Sequence, residues 1–95
     1  MVFAWDPGKA TANVEKHGVD FREAGTVFDD PLSTTFPDGD HSKSERRFLT
    51  IGMSAHRRLL VVAHTDDDDT IRIISARPVT RRERKFYEED ERESE

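Results

Sequence analysis

The chain has no cysteine among its 95 residues, which excludes a disulfide framework and any thiolate metal site. It has no apolar run long enough to cross a bilayer and no secretion-signal core. The cytosol is therefore the expected compartment, without membrane attachment. No P-loop, H-E-x-x-H helix, nucleophile elbow or calcium loop is present. Asp66 to Asp69 are consecutive acids, but a calcium loop spaces its ligands and carries a glycine at its bend. The run reads instead as a polar hairpin tip. His17, His41, His56 and His64 lack the spacing of a metal-ligand set. The sequence asks for neither metal nor cofactor.

Charge of one sign is also missing from the body. The formal net charge is −5, from 20 acids and 15 basic residues. Residues 88–95, EEDERESE, hold six of those acids and one arginine, leaving 14 of each sign in residues 1–87. Acidity is thus a property of the tail, which reads as a solvated helix end or as a segment that pairs with a basic partner. A neutral body differs from the basic surface usual in RNA binding, so RNA contact would need a local patch. The expected organisation is one domain over residues 1–87 with an acidic tail over 88–95.

Periodicity and caps give the element order. Val2 to Trp5 reads as a short strand. Asp6 followed by Pro7 starts a helix, which Gly18 stops in left-handed geometry. Ala10, Val14 and His17 mark its inward face. Asp20 opens a second helix, with Glu23 as a capping-box partner and Val19 and Ala24 as a hydrophobic staple. Phe21, Ala24, Val27 and Phe28 form its buried stripe, and Pro31 ends it. Four strands follow, at Leu32–Phe36, Arg46–Met53, Leu59–Thr65 and Thr70–Arg77, the last three linked as an antiparallel meander. Pro78 closes the last strand, and Thr80 with Glu83 forms a capping box for a third helix. The order β-α-α-β-β-β-β-α implies an α+β fold with the helices packed on one face of an antiparallel sheet.

Arginines carry the clearest chemical signal. Arg46, Arg47, Arg72 and Arg77 fall in the expected strands, where a guanidinium is held at a fixed angle and can grip a phosphate with two donors. Salt bridging or snorkelling is the alternative reading of each. Strict alternation puts Arg77 with Ile71 and Ile73 and puts Arg72 on the other face, so the two share a site only if a bulge intervenes. Arg81, Arg82, Arg84 and Lys85 give the third helix a basic surface. His64 lies on a strand face with Leu60 and Val62, either as a satisfied sheet histidine or as a proton-transfer group.

Together these stretches resemble the BrnT family of bacterial toxins. The matching pieces are Phe3 and Trp5-Asp6 with Lys9, then Asn13, Lys16-His17-Gly18-Val19 and Phe21-Arg22-Glu23-Ala24. They continue with Val27-Phe28, Asp30-Pro31, Glu45, Arg47, Ile51-Gly52, Leu60-Val61-Val62 and His64-Thr65. Ile71-Arg72-Ile73-Ile74-Ser75-Ala76-Arg77, Thr80, Glu83 and Tyr87 close the set. The resemblance implies a RelE-like fold and a metal-independent endoribonuclease that cleaves RNA and arrests growth. It also implies a BrnA-like antitoxin with a ribbon-helix-helix module, through which operator DNA is bound. On that basis Glu45 or His64 would move protons, and Arg47, Arg72 and Arg77 would meet phosphate charge. Lys9, Arg46, Arg81 and Arg82 would bind RNA. A non-enzymatic binding module that represses transcription with a DNA-binding partner is the alternative.

Overall fold

The computed structural model describes residues 1–39 and 46–94, with side chains through Glu89 in the last helix. Apolar and β-branched residues form the central hairpins from β3 (Phe48–Met53), β4 (Leu59–Asp67) and β5 (Thr70–Pro78). β2 (Thr34–Pro37) pairs antiparallel with β3, and β1 (Val2–Ala4) pairs with β5. The sheet order is β1-β5-β4-β3-β2. The helices are α1 (Pro7–His17), α2 (Phe21–Thr26), which runs into a 3-10 turn at Val27–Asp29, and α3 (Arg81–Ser94). No helix among the described residues is long and apolar enough to cross a membrane.

The expected element order holds, and so do the N-caps at Asp6 and Asp20 and the stop at Gly18. Asp6 accepts from the Lys9 amide at 2.9 Å, and Gly18 takes φ 68° at the end of α1. Val19 and Ala24 are both buried, as a staple requires. Glu23 does not turn back on its own helix. It binds Ser54 and Arg58 of the β3–β4 hairpin instead.

Three features differ from the expectation. The sheet is mixed, because β1 runs parallel to β5. The helices cover both faces: α1 and α2 pack on Leu60, Val62, Ile71, Ile73 and Ala76, whereas Tyr87 of α3 packs with Ile51, Leu59 and Val61. The reason is local, since Leu59-Leu60-Val61-Val62 is apolar at consecutive positions and a strand of that kind needs cover on each side. Third, Val14 is 47% exposed, and the buried position on α1 belongs to Asn13. Its Nδ2 donates to Val19 O and Ala76 O, and its Oδ1 accepts from Ala76 N, all within 3.0 Å. β1 pairs with β5 only at Thr70, Ile71 and Arg72. The carboxamide therefore replaces a strand where the edge backbone of β5 would lie buried and unpaired.

Candidate functional site

A bulge arranges the arginines. Ala63 pairs with Ser75 and His64 with Ile73, so Ile74 has no partner opposite it. Beyond it the alternation of β5 reverses. Ile71, Ile73 and Ala76 all enter the core under α1 and α2. Arg72, opposite Thr65, and Arg77, opposite Val61, both point to the face that carries α3. Strict alternation had separated them. At strand rise they lie roughly 15 Å apart, too far to hold one phosphate together.

Their surroundings differ. Arg77 is paired with Glu83, Nη1 to Oε1 at 2.8 Å and Nη2 to Oε2 at 2.9 Å. Glu83 also accepts from the Thr80 amide while Thr80 Oγ1 accepts from the Glu83 amide, completing the capping box. The Arg77 guanidinium, aided by the Thr80 amide, pulls the Glu83 carboxyl down to about 2 against the opposing effect of burial. Arg72 is exposed, with no hydrogen bond or ion pair among the described residues. It lines a cavity of about 440 Å³ with Arg46, Thr65, Asp66 and Asp67.

Arg46 and Arg47 precede β3 instead of lying in it, because ladder pairing with β4 begins at Phe48. The Arg46 guanidinium sits 5.5 Å from the centroid of the Phe48 ring. Phe48 in turn stacks on His64 at 5.9 Å. Lys9 is exposed in the first turn of α1, in the helical layer across the sheet from Arg72 and Arg77. Arg81 and Arg82 are exposed at the start of α3. Glu45 and His41 lie outside the described residues.

His64 is 1% exposed and wedged between Phe48 and Phe28 of the 3-10 turn that follows α2. Its Nδ1 meets Asp66 Oδ1 and its Nε2 meets Thr50 Oγ1, each at 2.7 Å. Thr50 continues the chain to Thr35 Oγ1, also at 2.7 Å. An ionised carboxylate only accepts, so Nδ1 carries the proton and Nε2 accepts from the Thr50 hydroxyl. Burial lowers the pKa of His64, and Asp66 only partly offsets this. The ring is therefore neutral near pH 7. Asp66, at 47% exposure, is the solvent end of this chain.

Residues 5–83 match the family model described as "Ribonuclease toxin, BrnT, of type II toxin-antitoxin system". The chain belongs to the BrnT family. A solved structure, that of the Brucella abortus ribonuclease toxin BrnT, shares its fold with a TM-score of 0.65 and 22% sequence identity, covering 85% of this chain and 100% of that one. No curated protein matches the sequence.

Several of the residues that carry the BrnT resemblance hold the fold together. Asn13 ties α1 to β5, and Glu23 ties α2 to the hairpin through Arg58. Asp30 accepts from the amides of Leu32 and Met53 and from the Tyr87 hydroxyl, joining the turn before β2 to β3 and α3. Sequence reads Asp66 only as part of an acidic hairpin tip, whereas it lies in β4 as the partner of His64, and sequence does not single out Thr50. The signal for Asp66 was its position two residues after His64 on the same strand face. Thr50 bore no signal, since its partner is 14 residues away.

Proposed function

We propose that this chain is the toxin of a type II toxin–antitoxin pair and cleaves RNA in the cytosol without a metal ion, arresting growth until a cognate antitoxin binds it. The family match over residues 5–83 carries the reading. The guanidinium of Arg72, unpaired among the described residues, in a polar cavity beside Arg46 supports it. Residues 1–87 constitute the toxin domain in this reading, and residues 88–95 are an acidic appendage.

Metal-free cleavage needs a base that takes the 2′-hydroxyl proton, an acid for the leaving 5′-oxygen and cations on the phosphate oxygens. Arg72 and Arg46 fit the last role. Arg77 has donors left after pairing with Glu83 and would touch the RNA backbone further along the same face. Arg81 and Arg82 continue that track, and Arg47 flanks its other end. Lys9, across the sheet, would reach only RNA that passes round the β1 edge. His64 has no surface of its own, so we assign its part through Asp66: the Nδ1 proton holds one carboxylate oxygen and leaves the other to the substrate. Glu45 is the second proton-transfer candidate. A BrnA-like ribbon-helix-helix antitoxin would neutralise the toxin and carry the complex to operator DNA.

Purified protein incubated with RNA, with and without EDTA, tests the reading. Cleavage in both lanes is expected, and intact RNA in both at high protein concentration would overturn it. Normal growth on induction, together with tight antitoxin binding, would instead favour a co-repressor without enzymatic activity.

A further inference from the structure

On the face that carries Arg72 and Arg77, α3 covers β2 and β3 incompletely. An open groove of about 500 Å³ remains, lined by Thr34, Phe36, Ile51, Arg82, Glu83 and Phe86. Phe36 and Phe86 meet edge to face across it, with ring centroids 6.3 Å apart. Phe86 is not what fastens α3 to the body. Tyr87 does that, buried and donating to Asp30 Oδ2 at 2.8 Å, together with the Arg77–Glu83 pair at the helix start. Phe86 therefore stays 48% exposed in a helix that is otherwise strongly charged. A half-exposed aromatic beside an apolar groove has the character of an interface anchor site.

The rim selects the chemistry of the occupant. Glu83, the carboxylate in the lining, is already matched by Arg77. Arg82, the cation in the lining, therefore leaves the mouth with an unmatched positive charge among the described residues. Charge complementarity favours an apolar side chain flanked by carboxylates.

We propose that this groove is where the antitoxin docks, seating an apolar side chain of an acidic segment against Phe36 and Phe86. The inference rests on the toxin–antitoxin reading. The groove shares no lining residue with the cavity at Arg46 and Arg72. Docking and catalysis are therefore separable by mutation, while an acidic segment at Arg82 blocks the end of the RNA track.

The test uses the full chain and a full-length cognate antitoxin of the ribbon-helix-helix kind. Titration calorimetry should show Phe86→Ser weakening the complex about thirtyfold or more, as expected for an anchor residue. Phe86→Leu should recover most of the affinity, and RNA cleavage by Phe86→Ser should equal wild type. Arg82→Glu, at an exposed helix position, gives an independent binding readout and should also weaken the complex. Affinities for both Phe86→Ser and Arg82→Glu within about threefold of wild type would overturn the proposal. So would a toxin dimer that Phe86→Ser dissociates without affecting antitoxin affinity, which would assign the groove to a second copy. Loss of cleavage with unchanged antitoxin affinity would assign it to RNA. If the wild type cleaves no RNA yet Phe86→Ser still loses the antitoxin, the docking site stands and the enzyme reading falls.

Discussion

Arg77 and Glu83 face each other through two parallel hydrogen bonds, 2.8 and 2.9 Å long, that fasten the end of β5 to the first turn of α3. The same carboxylate caps that helix at Thr80. One arginine thus stands both in the proposed RNA track and in the anchorage of the helix that borders the groove.

Replacing Arg77 with alanine should lower stability by about 1–2 kcal/mol, the worth of a half-exposed bidentate pair after screening. The loss should depend on pH. Glu83 titrates at about 2 in the folded protein against an ordinary 4.5. Its contribution is therefore complete above pH 4.5 and disappears as pH falls through about 2. Urea midpoints measured across that interval should fall steeply for wild type and less steeply for Arg77→Ala.

Arg72→Ala should behave in the opposite way. The side chain is exposed and unpaired among the described residues, so its removal should change stability by no more than about 0.5 kcal/mol. Cleavage of RNA should drop about a hundredfold or more if the guanidinium meets developing phosphate charge. Paired unfolding and cleavage assays on the two arginine variants would separate anchorage from chemistry.

The buried chain from Thr35 through Thr50 and His64 to Asp66 predicts a second pH effect. His64 lies below its ordinary value of 6.5 because it is buried. The unfolded chain takes up a proton as pH falls below 6.5, and the folded one resists. Stability should therefore decline on acidification from about 6.5 until the folded ring is protonated too. Thr50→Val keeps the volume but leaves Nε2 without its donor, at a cost of about 1–3 kcal/mol. His64→Gln should flatten the decline in a melting series between pH 7 and 5.

Asn13→Leu should destabilise by at least about 2 kcal/mol, because the Ala76 amide and the carbonyls of Val19 and Ala76 lose their partner where water cannot replace it. Asn13→Asp keeps the acceptor for the Ala76 amide and sets a carboxylate against the two carbonyls. It should be no better tolerated. Amide exchange at Ala76 would report the opening directly.

What the sequence determined by itself was local or cumulative. Asp6, Gly18, Asp20 and Thr80 mark helix ends because a cap acts within three or four residues of itself. β-branched runs mark β4 and β5 because strand character is read within one segment. The order of pieces such as Trp5-Asp6 and Ile71 to Arg77 was enough to indicate the family. Tertiary structure alone decided where those residues point. Whether Arg72 and Arg77 share a face depended on Ile74 lying unpaired against β4, and register is set by contact between strands. Asn13 displaced Val14 from the interior because the edge of β5 needed a donor and an acceptor, a demand that arises only once α1 lies against it. His64 found Thr50, and Arg77 was claimed by Glu83, through distances that no spacing along the chain encodes.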